Sequence, residues 1–114
     1  MDPDSVSDLF SALGPVRVRR MFGGQGIYRD ELMFALEADG ALYLKADQET
    51  AGAFEKAGSA PFTYRKDGKS TTMSYWRVPD SALDDPDEAA GWSRLALEAA
   101  RRSAAAKKKP RRRG

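Results

Sequence analysis

Gly23, Gly24 and Gly26 fall within four residues of one another in the segment Met21-Phe22-Gly23-Gly24-Gln25-Gly26-Ile27-Tyr28. Glycines this dense either cradle a phosphate or serve a backbone that turns sharply or packs very close to another strand. A dinucleotide fingerprint needs G-x-G-x-x-G between a strand and a helix. The spacing here is G-G-x-G and strand-like sequence follows it, so no helix N-terminus is supplied to hold an anion. Gly68-Lys69-Ser70 matches the end of a P-loop, but Thr63 stands where that loop requires its first glycine. A bulge or tight turn within a sheet is therefore preferred, and small-molecule binding or catalysis near Gly23–Gly26 ranks last. The chain contains neither histidine nor cysteine. The commonest general base, the thiolate nucleophile and the usual zinc ligands are thus missing. No catalytic residue, metal site or cofactor is assigned, and the expected protein is not an enzyme.

Two other groups of residues carry chemistry of a different kind. Asp84, Asp85, Asp87 and Glu88 are the densest carboxylates, but Asp85-Pro86-Asp87-Glu88 fits the start of a helix, where capping and the macrodipole explain acids. Tyrosines recur beside cations at Tyr28-Arg29, Tyr43 with Lys45, Tyr64-Arg65 and Tyr75 with Arg77. On a strand, residues two apart share a face, so Tyr43 and Lys45 point one way while Leu42 and Leu44 point toward the core. Tyr28, Tyr43, Lys45, Tyr64, Tyr75 and Arg77 are the candidate interaction face, able to stack bases or anchor a protein. The competing reading is an ordinary amphipathic outer face whose tyrosines cover charged stems.

Charge is unevenly distributed. The 114 residues hold 19 Lys plus Arg and 17 Asp plus Glu, a net of +2. Residues 101–114 hold 8 of the basic groups and no acid, so residues 1–100 keep 11 basic against 17 acidic, a balance of −6. Arg101, Arg102, Lys107, Lys108, Lys109, Arg111, Arg112 and Arg113 are the candidate phosphate contacts of a nucleic-acid-binding tail. A tail that aids solubility or docks on the acidic body is an equal competitor.

The elements that position these residues follow from periodicity. Asp2-Pro3-Asp4 opens a helix whose face is Val6, Leu9, Phe10 and Leu13, ended by Gly14-Pro15. Val16 to Arg19 alternates as a half-buried strand. Strands at Gly26–Arg29 and Leu32–Glu37 join at a tight turn, Asp30-Glu31. Asp39-Gly40 signals a type I′ hairpin pairing Leu32–Ala38 with Ala41–Ala46, and Asp67-Gly68 a second one between Phe62–Arg65 and Ser70–Val78. Between them Asp47 caps a short helix to Ala57, with Gly58 as its terminal glycine. Pro79 closes the last strand. Asp85 then caps a helix carrying Trp92, Leu95, Ala96 and Ala99, with Glu88 completing a capping box. The predicted fold is α+β: two layers, an antiparallel sheet of five to six strands with helices on one face. The body spans 1–100, and 101–114 is a basic tail that prolongs the helix through Ala104–Ala106 until Pro110 stops it.

Several of these segments together carry a family likeness. They are Met21-Phe22-Gly23-Gly24 with Gly26-Ile27-Tyr28, Met33-Phe34-Ala35-Leu36, Leu42-Tyr43-Leu44-Lys45-Ala46-Asp47, Pro61-Phe62-Thr63-Tyr64, Met73-Ser74-Tyr75-Trp76-Arg77-Val78-Pro79, and Trp92 with Ala96-Leu97. In this order and spacing, from about Leu9 to Ala100, the chain resembles the N-terminal domain of the TfoX/Sxy family, bacterial regulators of natural competence. Met21, Phe22, Gly23, Gly24, Gly26, Trp76, Pro79 and Trp92 form its structural signature. Full-length members carry a second, C-terminal domain, so the expectation is a stand-alone single-domain member. The resemblance implies the same two-layer fold and a link to transcription of competence genes, where such proteins act as co-activators beside the cyclic-AMP receptor protein. The leading expectation is a regulatory module acting by protein–protein contact, with a transcription regulator as partner. The alternative is direct, non-specific nucleic-acid binding through the tail. No membrane partner and a cytoplasmic location are expected, as monomer or homodimer.

Overall fold

A computed structural model describes residues 3–21 and 23–108. The order of elements is α1 (Pro3–Leu9), β1 (Arg17–Met21), β2 (Gly24–Arg29), β3 (Leu32–Ala38), β4 (Ala41–Lys45), α2 (Ala51–Lys56), β5 (Pro61–Lys66), β6 (Lys69–Arg77), α3 (Asp80–Leu83) and α4 (Pro86–Lys108). The strands form one antiparallel sheet in the order β1-β2-β3-β4-β6-β5. The architecture is α+β, as the periodicity predicts.

Three two-residue turns drive the meander. Asp30 and Glu31, Asp39 and Gly40, and Asp67 and Gly68 all have positive φ, the requirement of a type I′ turn whose twist matches its strands. Glu37 strengthens the middle one: its carboxylate accepts hydrogen bonds from the Gly40 N–H (2.9 Å) and the Gln25 amide (2.9 Å). Both side chains are buried, and those bonds compensate the carboxylate for the water it has lost. Their strength holds the Glu37 carboxyl below its ordinary pKa, the Gln25 bond contributing most and burial opposing it.

Helix α1 ends earlier than its periodicity suggests. It stops at Leu9, and a 3-10 turn at Ser11–Leu13 leads to Gly14, whose φ is +93°. Helix α2 begins at Ala51, because Asp47 first closes its own turn: its carbonyl accepts from the N–H of Thr50 and Ala51, and its Oδ1 from that of Glu49. Helix α3 has no counterpart in the sequence reading; at four residues it carries too little periodicity to register. At α4, Asp85 Oδ1 does cap the N–H groups of Asp87 and Glu88 (3.0 and 3.3 Å). The capping box is only half formed. The Glu88 carboxylate accepts instead from Ser81 Oγ and Trp92 Nε1, while the Asp85 N–H reaches the Ala82 carbonyl. The expected boundary at residue 100 falls inside α4, which continues to Lys108.

The core lies between the helices and one sheet face. It gathers Val6, Phe10, Ile27, Phe34, Leu42, Leu44, Phe54, Val78, Ala96 and Leu97 among others. Phe10 meets Phe34 edge to face, and Phe54 sits between Trp76 and Trp92. Leu42 and Leu44 point inward, as their alternation with Tyr43 and Lys45 requires. Phe34 is the extra residue of a bulge opposite Ile27 and Tyr28, which turns its ring into the core beside Ala35.

The glycine cluster is explained by backbone contact. A Cβ on Gly24 would stand 1.8 Å from the Glu37 carbonyl oxygen of the paired strand, a position only glycine occupies without moving β3. Gly24→Ala is therefore expected to cost roughly 3 kcal/mol or more, as a backbone clash within a sheet does. Gly91→Ala, on α4 with open space around it, is expected to raise stability by roughly 0.5–1 kcal/mol. Denaturant unfolding of both variants beside the parent chain checks the contrast.

Candidate functional site

The sheet register decides which side chains share the face that the helices leave uncovered. Arg17 pairs with Tyr28, which pairs with Met33. One rung runs across five strands as Arg19, Gly26, Leu36, Tyr43 and Arg77. Lys45 pairs with Tyr75. Residues paired directly across neighbouring strands point to the same side, so Tyr28, Tyr43, Lys45, Tyr75 and Arg77 lie together. Each of these rungs holds cations, and none holds a carboxylate. A chain whose first hundred residues carry net negative charge thus keeps this face cationic.

The aromatic groups on this face are folded down onto it. Tyr43 lies against Phe62, with ring centroids 4.8 Å apart. Tyr75 is only 6% exposed and donates its hydroxyl hydrogen to the Met33 carbonyl at 3.3 Å. Burial pushes the Tyr75 phenol up to about 12, with Tyr28 adding to the shift, so it stays protonated as a donor. Arg19 sits 5.8 Å from the Tyr28 ring centroid, and Lys45 Nζ 5.2 Å from that of Tyr75. Gly26 lies beneath two thioethers: a Cβ there would be 2.7 Å from Met33 Sδ and 2.8 Å from Met21 Sδ. Met21 itself is 43% exposed. The face therefore has a floor of tyrosine, methionine, leucine and phenylalanine and a rim of arginine and lysine.

Sequence reasoning missed Arg17, Arg19, Met33 and Phe62 as parts of this face. The alternation of Val16-Arg17-Val18-Arg19 held the signal for the arginines, since Val18 packs inward. Apolar type alone does not say which side of a sheet Phe62 and Met33 take, so the sequence carried no signal for them. The backbone of Tyr64 is in β5, but its side chain lies outside the described residues.

The remaining candidates fall elsewhere. Trp76, Pro79 and Trp92 are packing residues on the helix side: Trp76 and Trp92 flank Phe54, and Pro79 leads into α3. Met21, Gly24 and Gly26 belong to the sheet, and Gly23 turns between β1 and β2 with φ +68°. Arg101 and Arg102 are turned back on the body. Arg101 reaches Asp30 at 3.6 Å, and Arg102 spans the Asp47 carboxylate at 2.7 and 3.2 Å while approaching Glu49 at 3.3 Å. Lys107 is exposed near the end of α4, with no ion pair to any described residue. Phe22, Lys109, Arg111, Arg112 and Arg113 lie outside the described residues, as do Asp2 and the Lys108 side chain. Among the described residues no cluster of three or more acids suited to a metal occurs, and no helix is long and apolar enough to cross a membrane.

Residues 8–100 match the family model of the TfoX N-terminal domain. Protein Sxy of Escherichia coli K12 is 32% identical over 93 residues, covering 82% of this chain and 44% of that protein. DNA transformation protein TfoX1 of Aliivibrio fischeri is 36% identical over 93 residues, covering 75% and 44%. DNA transformation protein TfoX of Haemophilus influenzae is 34% identical over 83 residues, covering 70% and 38%. The chain spans less than half the length of these relatives.

The Arg102–Asp47 contact has a pH signature. The Arg102 hydrogen bonds hold the Asp47 carboxyl below its ordinary pKa, burial opposing them and the Glu49 N–H reinforcing them. A depressed folded-state pKa means that the contact stabilises the fold above the unfolded-state value and is lost as pH falls through the folded one. Arg102→Gln is expected to move the Asp47 titration back up and the acid-unfolding midpoint with it. Carboxyl NMR shifts and circular dichroism between about pH 2 and pH 6 read both.

Proposed function

The chain belongs to the TfoX N-terminal-domain family, and from that premise we propose that it is a non-enzymatic regulatory module acting by protein–protein contact through its open sheet face. Two relatives are named for DNA transformation, which supports a role in regulating that process. The partner is a transcription regulator, of the kind the family resemblance indicates in the cyclic-AMP receptor protein.

The observation that carries this reading is the composition of the face. Arginine, tyrosine and methionine are the residues that protein interfaces favour, and methionine adapts its shape to an apolar partner. A base-stacking platform needs open ring faces. Tyr75 is buried and hydrogen-bonded, and Tyr43 is laid against Phe62, so the rings offer edges and flanks. The absence of histidine and cysteine, and a Tyr75 phenol that stays protonated, support a binding role over catalysis.

Direct nucleic-acid binding is the second reading, favoured by Lys107, which has no ion pair among the described residues. It now rests on residues 107–113, since Arg101 and Arg102 are engaged by the body.

Biolayer interferometry with purified cyclic-AMP receptor protein separates the two. Met21→Glu and Arg77→Glu are each expected to weaken the contact at least tenfold, the loss that truncating one interface anchor brings. Replacing the lysines and arginines of residues 107–113 by glutamine is expected to leave it within about twofold, as a remote rim charge does. Loss of binding with the tail variant alone, both face variants binding as the parent does, defeats the proposal.

A further inference from the structure

A cleft of about 460 Å³ opens where the ends of β4 and β6 meet α4, lined by Lys45, Asp47, Glu49, Ser74, Arg102 and Ser103 among others. Its charges are divided. Arg102 takes both oxygens of Asp47 and leans on Glu49, so the acids of the cleft are engaged by one cation. Lys45 has no such partner. Its ammonium donates to Ser74 Oγ at 2.9 Å and rests near the Tyr75 ring, and no described carboxylate lies within ion-pair distance of it.

Lys107 stands one helical turn beyond Ser103, on the same side of α4. Burial first, and then the charge of Lys107, make the ammonium of Lys45 less favourable, while Asp47 only partly offsets them. Two ammonium groups without carboxylate partners among the described residues, one half-buried in the cleft and one a helical turn beyond its Ser103 wall, form an arrangement that a bound anion relieves. The hydroxyls of Ser74 and Ser103 stand by as further donors.

We propose that this cleft binds a phosphate group, held by the ammonium groups of Lys45 and Lys107 and the hydroxyls of Ser74 and Ser103. A doubly charged anion suits two cations better than a carboxylate does, and compact lysine ammonium groups bind phosphate as point charges. The volume leaves room for whatever the phosphate is attached to. The site shares Lys45 with the open sheet face but includes neither Met21 nor Arg77, so Met21→Glu and Arg77→Glu test the protein-contact reading without touching the cleft.

The full chain is titrated with sodium pyrophosphate at low salt, following the backbone amide signals of Ala46, Ser74 and Ser103 by NMR. Saturable shifts confined to these neighbours are expected, with affinity at least tenfold weaker in Lys45→Gln and several-fold weaker in Ser103→Ala. Arg77→Gln, on the sheet face, is expected to bind as the parent does. If thermal unfolding shows Lys45→Gln to be misfolded, Lys107→Gln at the exposed end of α4 takes its place, with the same tenfold loss expected. Unsaturable shifts spread over all cationic residues, or full affinity in the lysine variant, overturn the site. Competition then identifies the source. Displacement by ADP means a free nucleotide, and displacement by a ten-residue thymidine strand means a nucleic-acid backbone. Displacement by neither marks an adventitious ion only, and the proposal fails.

Discussion

A twisted antiparallel sheet with helices on one side has a second face that must be finished without a covering layer, and this condition shapes the rest of the molecule. The central strand β3 shows how it is met. Phe34, Ala35, Leu36 and Glu37 are buried in succession, which requires cover on both faces. The helices supply one side. On the other, Tyr75 reaches across from β6 to the Met33 carbonyl, Tyr43 leans on Phe62, and the methionines close over Gly26. Leucine burial of this kind contributes roughly 1.5–3 kcal/mol per side chain, so the outer layer is part of the fold and not only its surface.

That solution also gives the face its character. Cationic side chains cover aromatic rings, with the Arg19 guanidinium over Tyr28 and the Lys45 ammonium over Tyr75. Carboxylates make poor covers of this kind, having short stems and being repelled by the negative face of a ring. The acids collect instead in turns, caps and helices, where Asp30, Asp39, Asp67 and Asp85 meet backbone requirements. Charge segregation in this protein thus follows from folding, and the interaction surface proposed for it is a by-product of how the sheet is closed.

On the helix side, α4 is held at two distances from its start. Trp92 packs on Phe54 near the N-terminal half, and Arg101 and Arg102 pair with Asp30, Asp47 and Glu49 further along. Ion pairs as exposed as Arg101–Asp30 contribute little to stability, while the partly buried Arg102–Asp47 pair contributes more. Their consequence is positional: they align the last turns of α4 with the ends of β4 and β6, which forms the cleft beside Lys45. Residues that composition assigns to a basic tail are, as far as Arg102, part of the body's own packing.

The local elements were legible because each depends on a few neighbouring residues. Asp-Gly pairs demand positive φ, Asp85-Pro86 opens a helix, and Leu42-Tyr43-Leu44-Lys45 alternates with the pleat; none of these needs a distant partner. Glu88 was misjudged because Ser81 and Trp92 compete for its carboxylate, and α3 was missed because one turn has no period. The sequence by itself determined the α+β class, the hairpins, and that Tyr43 shares a side with Lys45 and Tyr75 with Arg77. Tertiary structure alone decided that Gly24 faces a carbonyl, that Tyr75 is buried rather than displayed, that Arg102 answers Asp47 across 55 positions, and that Lys45 meets no carboxylate among the described residues. Those outcomes depend on register and on the angle at which α4 crosses the sheet, quantities set by the packing of the whole chain and carried by no single segment.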